Sequence, residues 1–339
     1  MSKEKIVAIL AIIVLVSLDL SIRVSAQNKD KIRIAVSIDI LKPIVSEIVG
    51  DLGEVYSIVP EEAEPHSFTL TPDIIKKASD SDLIVITGHM EWEKKLVKQV
   101  AETKNAQPDL ISIDLLSLAG IKILEINGER NIHGFWLLPD NAVIIARGLK
   151  DKILTLKPEY SEELSYNYIL FEKEITNLKN FLNKLSERYN LVGKNVVIGF
   201  YAEQYIAEAM NLKADIVLIG EGEINPSILT KVYEGFKSGK YACMIVSDTA
   251  LLMSNVQGIL KEISGETGCS IAYVLTVSTS GLERYDAIMY YNAGQVYNAL
   301  LSQCKANSAE VNIYLLTTIA TLLIIILESI LLVKWRVKI

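Results

Sequence analysis

Three histidines, His66, His89 and His133, are all that the 339 residues hold. Neutral imidazole is a good ligand for zinc, copper, iron and nickel, so rings brought together from different parts of a chain make a candidate metal site. Residues 64–93, EPHSFTLTPDIIKKASDSDLIVITGHMEWE, set His66 in a proline-flanked loop and His89 just past an apolar strand. From the residue types alone, each is equally a metal ligand or a solvated loop residue. No HExxH, no Gly-x-Ser-x-Gly and no Cys/His nucleophile arrangement accompanies them, so a metallohydrolase built on His66 and His133 has no supporting motif.

The elements that must position these residues alternate short β-rich runs with amphipathic helices, the pattern of α/β units around parallel sheets. In the first half the sequence predicts strands at 32–37, 55–59, 83–87 and 111–114. Helices are predicted over 40–49, from Pro72 onward, and over 92–104. Thr71, Pro72 and Asp73 supply an N-cap, a first-position proline and a first-turn acid. His66 then falls just ahead of a helix, on the side of the sheet where ligands bind in open α/β folds. A second set of strands is predicted at 196–199, 215–219, 242–246 and 271–276.

Between the two sets, residues 157–190 contain no glycine and one proline, Pro158 at the start. Leu164, Tyr168, Phe171, Ile175, Leu178, Leu182 and Leu185 form one apolar stripe at helical spacing. Some thirty residues at about 1.5 Å each make a rod of roughly 45 Å, long enough to join two lobes stiffly. A coiled-coil dimerisation helix is the alternative for so few heptads. The expected fold class is therefore α/β, with two Rossmann-like lobes of parallel sheets joined by one long rigid helix, plus a C-terminal transmembrane helix.

That last element comes from the chain ends. Residues 1–26 carry Lys3 and Lys5, an apolar run and a Val-Ser-Ala exit, the order of a secretory signal peptide. An uncleaved anchor is the alternative reading, although Asp19 and Arg23 cut the run short. Residues 311–333 are apolar and about long enough to span a bilayer, and Lys334, Arg336 and Lys338 after them favour a cytoplasmic tail. Glu328 lies within that segment, either as a functional carboxylate or as one near the interface. The predicted divisions are a signal peptide at 1–26, a first lobe at 27–156, the linking helix at 157–190, a second lobe at 191–308, a membrane helix at 311–333 and a tail at 334–339.

A net charge of −7 and a pI near 5.3 exclude the clustered basic face that nucleic acid requires. Cys243, Cys269 and Cys304 are too few for a disulfide scaffold, although Cys243 and Cys269 flank neighbouring strands and leave one bridge open.

The first half, from IRIAVSIDILKPIVSEIV through Pro65-His66-Ser67-Phe68, Thr71-Pro72 and Gly88 to Glu91-Trp92, resembles the first lobe of the zinc and manganese solute-binding proteins of ABC importers. NIHGFWLLPDNAVIIARGLKDKI is similar to that family's second metal motif, with one extra residue between histidine and tryptophan. The resemblance covers about residues 32–303. It implies a transported divalent metal, Zn²⁺ or Mn²⁺, held between the lobes by two histidines, a His or Glu from the second lobe and a late Asp. By match, His66 is the first ligand and His133 the second. The third position falls on Phe200, with Glu203 close enough to substitute or else simply opening the next helix. The fourth falls near Val277 or Ser278, where no acid stands, and Asp286 comes too late. His89 sits where the family places small residues and is read as a loop residue at the cleft edge, with a supplementary ligand or gate as its alternative.

The expected metal residues are thus His66, His133 and Glu203. The resemblance also implies a permease and an ATPase as partners and a non-enzymatic role. The expected protein is an extracellular, membrane-anchored receptor that hands metal to an ABC importer. Its alternative is a receptor of the same fold that has lost metal binding and serves adhesion.

Overall fold

The computed structural model describes residues 31–302, apart from 62, 221–223 and 254–255, together with Thr321. Strand β1 (Ile32–Val36) leads through α1 (Lys42–Val49) to β2 (Gly53–Ser57). Then follow α2 (Pro72–Ser79), β3 (Leu83–Ile86), α3 (Glu91–Lys104), a short α4 (Pro108–Ile111) and β4 (Ser112–Asp114). These strands form one parallel sheet in the order β2-β1-β3-β4. All four residues of β3 are buried, as are four of the five in β1, which is why both strands read as continuous apolar runs.

A hairpin of β5 (Leu124–Ile126) and β6 (Glu129–Asn131) comes next, then α5 (Pro139–Leu156) and α6 (Ser161–Arg188). The hairpin is absent from the sequence prediction. Its signal is the Asn127-Gly128 pair, both at positive φ, which is the residue pair a two-residue hairpin turn demands.

The second half holds β7 (Asn195–Ile198), α7 (Glu203–Ala209), β8 (Lys213–Val217) and α8 (Pro226–Lys237). It continues with β9 (Met244–Ser247), α9 (Asp248–Leu252), α10 (Val256–Thr267), β10 (Ile271–Val274) and α11 (Tyr285–Leu301). Its sheet is again parallel, in the order β10-β9-β7-β8. Each predicted strand is present within a residue or two.

Helix α6 has 28 residues, about 42 Å of rise. Its buried side chains, Leu164, Phe171, Ile175, Leu178 and Leu182, lie on the predicted stripe and face α1, α5 and α11 of the same chain. Near its start Asn167 donates to the Ile48 carbonyl at 3.0 Å, and near its end Ser186 donates to the Met210 carbonyl at 2.7 Å. The helix is therefore fastened to both α/β halves.

Both sheets have a switch point where the chain reverses direction of strand addition, between β1 and β3 in the first and between β7 and β9 in the second. In such sheets the crevice at the carboxyl ends of those strands is where ligands bind. Here residues following β1, β3, β7, β9 and β10 converge on one cavity.

One part of the expected fold class is corrected. Among the described residues no helix is long and apolar enough to cross a membrane, and the fold they form is an α/β pair of parallel sheets on a long helix. Residues 311–333, with Glu328, lie outside the described residues except for Thr321, as do the 1–26 leader, Cys304 and the 334–339 tail. Cys243 and Cys269 are buried thiols rather than a bridge.

Candidate metal site

His66, His89 and His133 come together. One nitrogen of each lies within 4.8 Å of the others, and the ring centroids are 5.2 to 5.5 Å apart. A zinc ion holds nitrogen at about 2.0–2.1 Å, which sets bound nitrogens roughly 3.4 Å apart in a tetrahedron, so adjustments of about an ångström bring three rings onto one ion.

Each ring is delivered by its own local structure. The His66 loop is pinned where the Trp92 indole donates to the Pro65 carbonyl at 2.8 Å, and Phe68 packs edge-on against Trp92. The Glu64 carboxylate accepts from the backbone of His66 at 3.0 Å and of Ser67 at 2.6 Å, and stands 2.8 Å from His66 Nδ1. Burial raises the Glu64 carboxyl, but the hydrogen bonds from His66 and Ser67 outweigh it and hold the acid below its ordinary value. An ionised Glu64 fixes the Nδ1–H tautomer and leaves Nε2 for a ligand, as outer carboxylates do at metal sites.

His89 follows Gly88, which has φ +92°, and a Cβ there would meet the Asp114 carboxylate at 1.8 Å. Only glycine fits this turn. Glu93, at the start of α3, grips the turn by accepting from the backbone of Thr87 at 2.8 Å and of Gly88 at 2.9 Å. The Thr87 hydroxyl lies 2.7 Å from Glu93 Oε2 and 2.8 Å from His89 Nδ1. With the hydroxyl proton given to Glu93, its oxygen accepts from Nδ1–H, and the buried Nε2 of His89, without a hydrogen-bond partner, carries a lone pair. Burial, reinforced by His133 and His66, pushes the His89 imidazole down to about 3, so it stays neutral in ordinary solution. Trp136 stacks on it at 5.9 Å.

His133 sits between Asn131 and Gly134, whose φ is +83° and whose absent Cβ would come within 2.8 Å of Ala202. Asn131 accepts from the His133 backbone at 3.0 Å and donates to the Tyr201 carbonyl at 2.8 Å. The Tyr205 hydroxyl donates to the Asn131 carbonyl at 2.5 Å. The missed hairpin thus fastens the His133 loop to the second half.

The cavity between the rings is about 20 Å³ and reaches Ile38, Trp136, Phe200 and Val277, enough for one water-sized occupant. His66, 41% exposed at its side chain, gives it an opening to solvent.

Glu203 stands apart from this cluster. It is fully buried, and its carboxylate accepts from Ser247 N at 2.7 Å and Phe200 N at 3.0 Å. Burial, opposed by those bonds, pushes it up to about 8. It clamps the turn after β7 as Glu93 clamps the turn after β3. Phe200 faces the rings instead, 6.3 Å from His66 and 5.6 Å from His133. Sequence reasoning read His89 as a loop residue and kept a ligand role only as the alternative, although a Gly-His pair ending a buried strand at a sheet's ligand-binding edge was the available signal.

The family model for the zinc-uptake complex component A, periplasmic (ZnuA), matches residues 34–299. The chain is 26% identical over 313 residues to the manganese ABC transporter substrate-binding lipoprotein PsaA of Streptococcus mitis, covering 87% of this chain and 97% of that one. It is 24% identical over 301 residues to the metal ABC transporter substrate-binding lipoprotein SsaB of Streptococcus sanguinis, covering 81% and 91%. Among solved structures, ZnuA superposes with a TM-score of 0.67 at 19% identity, over 80% of this chain and all of that one. The Mn²⁺ complex of FpvC from Pseudomonas aeruginosa gives 0.63 at 20%, over 80% and 98%.

Proposed function

The chain belongs to the ZnuA family of zinc-uptake components, and from that premise we propose that it captures a divalent transition metal outside the cell and delivers it to an ABC importer. The metal is cargo. It is taken up by His66, His89 and His133, with the first of these at the solvent opening, and it leaves to a permease driven by an ATPase. Relatives named as metal or manganese ABC transporter substrate-binding lipoproteins support this assignment. The observation that carries it is the meeting of three imidazoles around a cavity of one-ligand size.

The site is built for release as much as for capture. Three neutral nitrogens and one exchangeable ligand hold an ion less firmly than a closed four-ligand set, which is the structural type of zinc site. His66 and His133 keep the roles that the sequence motifs imply, and His89 takes the third position. Glu203 is left to hold its turn. The leader at 1–26 would export the folded region, and the divisions 27–156, 157–190 and 191–308 describe its two lobes and their joining helix.

Metal-free protein titrated with Zn²⁺ should gain thermal stability by mass action, about 2.7 kcal/mol at a hundred times Kd, or several degrees for a protein of this size. His89→Ala should lower the zinc affinity read from this response by at least about tenfold. No thermal response to zinc, manganese, nickel or cobalt would return the adhesion reading, in which the fold has lost metal.

A further inference from the structure

The net charge of −7 is an average over the whole chain, and one rim of the molecule reverses it. Strands β7 and β8 start side by side there, with Asn195 level with Lys213, and the Lys213 amide donates to the Lys194 carbonyl at 2.9 Å. The end of α6 closes on the same rim. Asn211 donates to the Asn183 side chain at 2.8 Å, and the Leu191 amide to the Ser186 carbonyl at 2.8 Å. This gathers the exposed Lys184, Arg188, Lys194 and Lys213, none of which forms an ion pair among the described residues. Of the acids beside them, Asp215 pairs with Lys240 at 2.6 Å and Glu208 with Lys122 at 2.6 Å, and Glu187 remains exposed.

Apolar side chains stand out between these cations. Tyr189 is 42% exposed, Val192 59% and Leu301 48%, and the Arg188 guanidinium lies over the Tyr189 ring at 5.8 Å. Helix α11 brings Leu301 here by running alongside α6 in the same direction. The Tyr285 ring is 6.1 Å from that of Phe171, and the Tyr297 hydroxyl is 3.0 Å from that of Ser186. Ser302 then leaves from this rim towards residues 303–339, of which 311–333 are largely apolar. The rings lie at the other end of the same sheet, since β7 starts at the rim with Asn195 and leads to Phe200, 5.6 Å from His133.

We propose that this rim rests on a lipid surface with anionic headgroups, which turns the imidazole cluster away from the bilayer. Each lysine or arginine near such a surface strengthens binding by about fivefold. Tyrosine settles at the membrane–water interface, and apolar side chains such as Val192 and Leu301 add buried area to the electrostatic attraction. A face for a soluble polyanion needs only the cations, whereas a lipid surface also takes the exposed valine and leucine between them. The proposal goes beyond metal capture and stands whether or not the rings hold an ion.

The test combines full-length protein with lipid nanodiscs of phosphatidylcholine, either alone or with about one third phosphatidylglycerol to supply the negative surface. The protein carries Cys304→Ser and an environment-sensitive dye on Val192→Cys, while Cys243 and Cys269 are buried and stay unlabelled. Dye emission should be at least about twofold higher with anionic discs than with neutral ones, and high salt, which screens the attraction, should remove the difference. The same dye on Leu252→Cys, exposed after β9 at the ring end, should not respond. Lys184→Gln, Lys194→Gln and Lys213→Gln together should abolish the rise at Val192, with an unchanged Tm as the check on folding. Equal emission with neutral and anionic discs, an equal response at Leu252, or a rise that survives the triple change each overturns the proposal. A response at Val192 to soluble polyglutamate with none to the discs also overturns it and makes the partner an acidic protein. If the triple variant does not fold, Lys194→Gln alone, which should diminish the rise, decides.

Discussion

His89 enters the native fold as a neutral imidazole, and its environment makes that state measurable. Its pKa falls from the ordinary 6.5 to about 3, first through burial and then through His133 and His66. Between those values the unfolded chain takes up a proton that the native site refuses. The group's contribution is therefore intact above pH 6.5 and is lost as pH falls towards 3. Urea midpoints of metal-free protein should drop across this window by the equivalent of a few kcal/mol, and His89→Leu should flatten the drop. Parallel curves for the two proteins would contradict the assignment. Thr87 is the complementary probe, since its hydroxyl links Glu93 to His89. Thr87→Val should cost about 10–100-fold in zinc affinity, and Thr87→Ser, which keeps the hydroxyl, should restore most of it. The pairing of His66 with His133 was legible from their motifs. The inward turn of His89 was not, because no local pattern records that a Gly-His turn meets two other rings.

At the scale of elements, His89 and Phe200 are delivered from tight turns at strand ends, one in each half, each held by a glutamate at the start of the following helix. Gly88 makes the first such turn possible. Gly88→Ala places a side chain at positive φ, at about 1–2 kcal/mol, and drives a Cβ into Asp114. It should lower Tm by several degrees and abolish the zinc response. Gly265→Ala is the contrast: the position lies within α10, with open space where the Cβ would go. There the change should stabilise by roughly 0.5–1 kcal/mol and leave zinc affinity unchanged. Differential scanning calorimetry of both variants, with and without zinc, checks the pair. The strands and the long helix were readable from periodicity because each buries a continuous run or a stripe. The hairpin at 124–131 was hidden because its strands are three residues each and four of those six residues are polar, leaving Asn127-Gly128 as the sole cue.

At the scale of the whole molecule, the loop from Val277 to Tyr285 is held by carboxylates of the first half. Asp39 accepts from Thr279, Glu61 from Ser280, and Glu47 from Tyr285 N at 2.7 Å. Arg284 pairs with Glu47 at 3.5 Å, with Asp286 at 3.0 Å and with Glu174 of the long helix. The halves are thus joined by bonds that need no metal. Burial pushes the Glu47 carboxyl up to about 7, against Tyr285 N–H and Arg284. A raised native pKa means that the native state holds a proton the unfolded chain has released. The contribution of Glu47 is full below about pH 4.5 and is lost as pH rises through 7. Glu47→Gln keeps a neutral acceptor for Tyr285, so relative to wild type it should gain on the order of 2 kcal/mol between pH 4.5 and pH 8. Chemical denaturation at the two pH values reads this directly, and an equal loss at both would show that only the ion pair matters.

By itself the sequence determined two parallel α/β units and a long helix between them, because apolar periodicity and turn chemistry are local properties, whereas His66 and His133 were singled out by family resemblance. The docking of the two sheets' switch points decided the rest. It brought His89 to the cluster, turned Glu203 onto backbone amides and aimed Phe200 at the imidazoles. Those outcomes depend on which strand ends face each other across hundreds of weak contacts, and no short stretch of chain contains that information.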